Sequence, residues 1–210
     1  MTLASIVTAI LLVAIHGWPW VMMSFQVGIK KFQWSSAIVA WVWLYLLMLG
    51  LFLGDWHRID LSRVFGQTLA PRYAVLALFL GALIAATFHM LHVPMFRVYA
   101  HWQTLWVRAQ QSGGLPMLTP LLGSIALPAF QELLFRGIYP CLLETVWPFL
   151  TTAVVSAYIW VLPLMFGQTH WGIWLYLLFG VLLAYLRRCT NSLLAPCLCH
   201  FAFMLSVLWM

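Results

Sequence analysis

The chain has 210 residues, 65% of them hydrophobic and only 7% charged, with a formal net charge of +6. Soluble domains are about one quarter charged, so water is excluded as the main solvent and the chain reads as an integral membrane protein. Its length accommodates about seven spans of about 20 residues with short connections and no separate soluble domain. The cations Lys30, Lys31, Arg58, Arg63, Arg72, Arg97, Arg108, Arg187 and Arg188 are dispersed, which suits contact with anionic lipid headgroups and excludes a nucleic-acid partner.

In chain order, residues 1–25 lack a basic leader region and an A-x-A site before "HGWPW", so they are read as a first span and not as a signal peptide. Spans two and three fall at 36–54 and 73–93, separated by the polar interfacial loop "DWHRIDLSRVFGQTLAPR". An amphipathic stretch rich in Trp and Arg follows, closed by Gly113, Gly114 and Pro116. A long helix then starts near Met117 and carries "AFQELLFRGIYP". Three further spans are expected at 150–167, 171–187 and 191–209, with Thr190 and Asn191 forming a turn and helix N-cap and Ser192 adding a first-turn hydroxyl. No period-two alternation is present, so the predicted fold is all-α, a polytopic bundle of about seven transmembrane helices. It divides into residues 1–116, amino-terminal helices with interfacial loops, and 117–210, a core, within one integrated membrane domain. With the amino terminus inside, Arg58, Arg63, Arg72, Arg187 and Arg188 are cytoplasmic and Lys30, Lys31, Arg97 and Arg108 external, a near balance that leaves orientation open. The cysteines Cys141, Cys189, Cys197 and Cys199 form no CxxC pair and read as small apolar fillers.

An ionisable group in hydrocarbon costs at least about 2.5–3.5 kcal/mol, so each one inside a span needs a partner or a purpose. Glu132 and Arg136 stand four apart on one helix face, His170 closes the fifth predicted span, and His200 lies in the middle of the last. A carboxylate and two imidazoles from separate helices can converge on a water. The carboxylate takes its proton, one His orients it, and the second His donates to the oxyanion of an attacked carbonyl. The corresponding chemistry is peptide hydrolysis without a metal or a covalent intermediate. Glu144, twelve residues beyond Glu132, reads as a solvated surface charge, and Gln168 as a helix-end cap.

"QELLFRG" resembles an EExxxR motif, "FGQTH" an FxxxH motif, and "RRCTNSLLAPCLCHFAFM" the third motif region of the CPBP family, which comprises the CAAX prenyl proteases and bacteriocin-processing enzymes, also called Abi proteins. Order, spacing and the Thr-x-Ser-Leu-x-Ala-Pro-x-x-x-His lead-in agree over residues 117 to 210. The resemblance implies a multi-span helical fold and, in active members, a glutamic-type intramembrane protease. It places Glu132 at the second Glu of the motif, Arg136 at the Arg, Phe166 and His170 at the second motif, and His200 at the third-motif His. Two positions depart from the pattern. The first Glu of the pair is Gln131, which is no useful proton acceptor, and the Asn or Asp four residues after the last His is Met204.

Three readings follow. In the first, the chain is a metal-independent intramembrane endopeptidase without cofactor, with Glu132 as base beside His170, His200 and Arg136 as further catalytic residues, and Gln131, Phe166 and Met204 at the substrate cavity. Arg136 there positions the substrate's carboxylate or backbone. The substrate is a membrane-anchored peptide or protein, preferably one bearing a short sorting signal, in a prokaryotic plasma membrane. In the second, the chain is a catalytically silent scaffold or immunity-type protein that keeps Glu132 and Arg136 as a structural ion pair. In the third, His89 and His92, three apart on one helical face, join His101, His170 or His200 to bind haem or a transition metal.

Overall fold

A computed structural model describes residues 60–93, 107, 111, 125–126, 128–144, 147–161 and 171–209. The chain divides into two compact units, Met1–Asp60 and Leu61–Met210, and every helix described below lies in the second. The expected spans at 1–25 and 36–54 lie outside the described residues.

Among the described residues the structure is helical, with a lone β-bridge between Gly66 and Ser192. The helices are α1 (Leu61–Phe65), α2 (Pro71–Met90), a π-helical segment (Leu133–Ile138) running into α3 (Tyr139–Leu143), α4 (Phe149–Val161), α5 (Ile173–Thr190) and α6 (Leu194–Trp209). Two of these, α2 and α5, are long and apolar enough to cross a membrane. Their outward residues suit lipid: Val75, Phe79 and Leu83 on α2, and Trp174 and Leu178 on α5, are all exposed.

The sequence sets the limits of α2. Pro71 sits in its first turn, where a missing N–H costs nothing. At the other end His92 takes a left-handed conformation, φ +50°, and the Val93 N–H reaches back 2.9 Å to the Phe88 carbonyl, closing a Schellman-type cap. His92 is therefore outside the helix, and the expected sharing of one helical face by His89 and His92 does not occur.

α2 packs along α6, and α4 along α5, which also touches α6. The α2 surface in contact is a row of small buried residues, Ala77, Gly81 and Ala85, and a Cβ on Gly81 would meet the backbone carbonyl of Cys199 on α6. Small residues four apart let two backbones approach closely, and dispersion rather than solvent exclusion then holds them in lipid. An aromatic cluster continues the seam: the Phe88 ring lies edge-on to Tyr176 at 5.0 Å and to Phe203 at 5.4 Å, and Phe179 lies 4.7 Å from Phe203.

A polar clip holds the opposite ends of the loops. Arg187, in the last turn of α5, donates from Nη2 to the carbonyls of Arg63 (2.5 Å) and Val64 (3.2 Å), and from Nη1 to Asn191 Oδ1 (3.3 Å). The Gln67 N–H donates to the Asn191 carbonyl at 2.6 Å, and the Leu193 N–H to that of Phe65 at 3.0 Å. Asn191 does not cap α6, as its place before "SLLAP" suggested. It ends α5 with φ +47°, a conformation that a short polar side chain tolerates. Arg187, read from the sequence as a loop cation, is a half-buried anchor, and Arg188 lies with its guanidinium 4.3 Å from the Phe149 ring centre.

Candidate active site

Glu132, Arg136 and His200 are each at most 1% exposed, so three ionisable side chains share one interior. Glu132 ends the regular part of a helix, and from Leu133 to Ile138 the chain winds as a π-helix before returning to α-geometry at Tyr139. Single π turns are uncommon and concentrate at functional sites. Gly137 fits this segment against α1: a Cβ there would lie 3.0 Å from a Val64 methyl.

Both partners of Glu132 converge on one oxygen. Arg136 Nη1 donates to Oε1 at 3.2 Å, and His200 Nδ1 lies 2.7 Å from the same atom. An ionised carboxylate only accepts, so with Glu132 charged the proton of the short bond is on Nδ1. Among the described residues, Glu132 Oε2 and His200 Nε2 are buried and make no hydrogen bond. The pair thus presents one unused carboxylate oxygen and one unused ring nitrogen, brought together from positions 68 residues apart.

Both terminal nitrogens of Arg136 are engaged. Besides Glu132, its Nη2 donates to the Gly180 carbonyl at 2.9 Å, and its guanidinium carbon lies 4.9 Å from the centre of the Trp160 ring. Gly180 allows this approach, since a Cβ there would stand 2.8 Å from the Ala157 Cβ and 3.0 Å from Arg136 Nη2. Gln131 Oε1 accepts from Trp160 Nε1 at 3.1 Å, and the Trp160 ring meets His200 nearly at right angles, 5.4 Å between centres.

The structure therefore brings Glu132, Arg136, His200 and Gln131 together. Met204 is buried one turn beyond His200 on α6. Phe166, Gln168 and His170 lie outside the described residues, as does His101. Glu144 is exposed at the end of α3, as expected of a surface charge. Among the described residues no three His, Cys, Asp or Glu side chains form a group that could hold a metal ion. Trp160 was missed by the sequence reading, for nothing separates it there from the other Trp residues, 13 in all.

A helical, apolar chain with a buried Glu, Arg and His at EExxxR-like and third-motif positions has the character of the CAAX protease group. Residues 113–206, a little under half of the chain, match the family model of type II CAAX prenyl endopeptidases, Rce1-like, a match consistent with the CPBP resemblance of the motifs. Comparison with curated proteins and with solved structures returns no match.

Proposed function

We propose that the protein is a multi-pass membrane endopeptidase of about seven helices that hydrolyses membrane-associated peptides without a metal. The observation that carries this reading is the buried Glu132–His200 contact of 2.7 Å, with one polar atom of each side chain left unused. Isolated charges are not retained in such an interior without compensation. Here the compensation leaves Glu132 Oε2 available to take a proton from water and His200 Nε2 available, once the ring is protonated, to donate to a developing oxyanion. His170 is assigned the orientation of that water by the motif it occupies. Arg136, held by Glu132, Gly180 and Trp160, keeps the carboxylate in place and does not itself reach for substrate.

The proposed substrate is a prenylated or otherwise membrane-anchored chain whose scissile bond lies at the bilayer, with a short sorting signal preferred, in a prokaryotic plasma membrane; the family match supports a membrane-associated substrate. The second reading, a silent scaffold, is favoured by one contact. Gln131, standing where the motif has its first Glu, is occupied by the Trp160 indole.

The test compares Glu132→Gln, His170→Ala, His200→Ala and Gln131→Glu in cells, scoring a membrane-anchored reporter for truncation. The first three substitutions abolish processing at unchanged membrane abundance, and an added chelator changes nothing. Wild-type processing by Glu132→Gln removes the general base from the proposal. Activity that appears only in Gln131→Glu identifies a silenced protease.

A further inference from the structure

Trp160 touches three of the residues assigned to the site, and each contact uses a different part of its ring system. Its N–H donates to Gln131 Oε1 at 3.1 Å, its face lies 4.9 Å below the Arg136 guanidinium carbon, and its ring stands at 88° to the His200 imidazole. It is 1% exposed, and Phe179 closes another side, 6.1 Å from Trp160 and 5.8 Å from His200.

A planar side chain gripped on its edge and its face has little freedom to tilt. The indole N–H sets one anchor. A cation above the ring sets another, because the attraction is strongest over the face. The imidazole of His200 packs against what remains. Its own direction is also set by the Nδ1 bond to Glu132, about which the ring could still swing, and by the edge-on packing of Phe179.

From these contacts we infer that Trp160 is a positioning residue of the proposed protease, fixing the His200 ring so that Nε2 is aimed, and that Gln131 serves it as hydrogen-bond acceptor. The inference rests on the functional reading above. It gives position 131 a task that needs no proton transfer: an acceptor for the indole, which an amide oxygen fills as a carboxylate would.

The experiment reads the His200 Nδ1 proton by NMR of histidine-labelled protein in detergent micelles, the resonance being identified by its loss in His200→Ala. Gln131→Leu removes the acceptor while leaving both rings in place. Gln131 adjoins Glu132, which bonds His200 directly, so the Trp160→Phe background is what separates a route through Trp160 from one through Glu132. The expected result is that Gln131→Leu shifts this proton and speeds its exchange with water. In Trp160→Phe, which keeps an aromatic ring but no N–H, adding Gln131→Leu has no further effect. Processing kcat falls about three- to tenfold in Gln131→Leu, the scale of one lost buried hydrogen bond, with KM unchanged. A proton left in place by Gln131→Leu, or moved as far in the Trp160→Phe background as in the wild type, overturns the inference. If Trp160→Phe fails to fold, an unmoved proton in Gln131→Leu still overturns the inference. An unmoved proton in a chain that cleaves its reporter refutes the positioning role alone. A moved proton in a chain that cleaves nothing refutes the protease and leaves Trp160 as the residue that orients His200.

Discussion

α6 is held on two sides by different physics. Toward α2 it meets a row of small residues, with Gly81 against the Cys199 backbone and Phe88 against Phe203. Toward Glu132 it offers a single imidazole at 2.7 Å, and the energetics depend on angles and charge. The first contact gathers many weak attractions and is sensitive to volume. The second is sensitive to chemistry at constant volume, so isosteric and volume-changing substitutions should separate the two.

The largest effect is expected from Glu132→Gln, which preserves shape and removes the proton acceptor. Processing falls about 10²- to 10⁴-fold, the usual contribution of general acid–base catalysis, as measured by single-turnover cleavage of the reporter. Arg136→Ala leaves a buried carboxylate with one fewer partner and costs about 3–5 kcal/mol, read from thermal unfolding in detergent, so loss of the folded protein precedes any kinetic reading. Gly81→Ala, where the new methyl meets a backbone carbonyl that cannot turn aside, costs about 1–3 kcal/mol by the same measurement and leaves catalysis per folded molecule unchanged. An equal loss of kcat in Gly81→Ala would erase the distinction between the two sides of α6. The smallest effect belongs to Arg187→Gln. It loosens the loop clip by about 1 kcal/mol, because the guanidinium is only partly buried and water replaces part of what is lost.

The two sides of α6 were also unequally legible. Glu132, Arg136 and His200 announced themselves because polar groups are expensive in so apolar a chain, and the helix spacing placed the first two within reach of each other. The limits of the later helices were visible as well: 73–93 against Pro71–Met90, 171–187 against Ile173–Thr190 and 191–209 against Leu194–Trp209. The small-residue seam was not read, since Ala77, Gly81 and Ala85 differ from their neighbours only by what α6 brings against them. Trp160 was invisible for the same reason, its role being defined entirely by contacts with other helices. Asn191 misled because the residues that favour a helix start also tolerate the left-handed turn that ends one. Arg187, four residues earlier and bonded to its side chain, was the available sign. His92 misled similarly, because spacing alone says nothing of where a helix stops.

The π segment between Leu133 and Ile138 bears on how this site could be altered by length instead of by identity. A turn that closes on the fifth residue holds one residue more than a regular turn requires. Deleting a single codon there would let the backbone rewind as an ordinary helix, keeping Glu132 and Tyr139 near their present faces while presenting a different side chain to Gly180. Bulge loss would thus move the guanidinium from its seat while the carboxylate stays, so the partner of Glu132 is set by the length of this segment as well as by the residues in it.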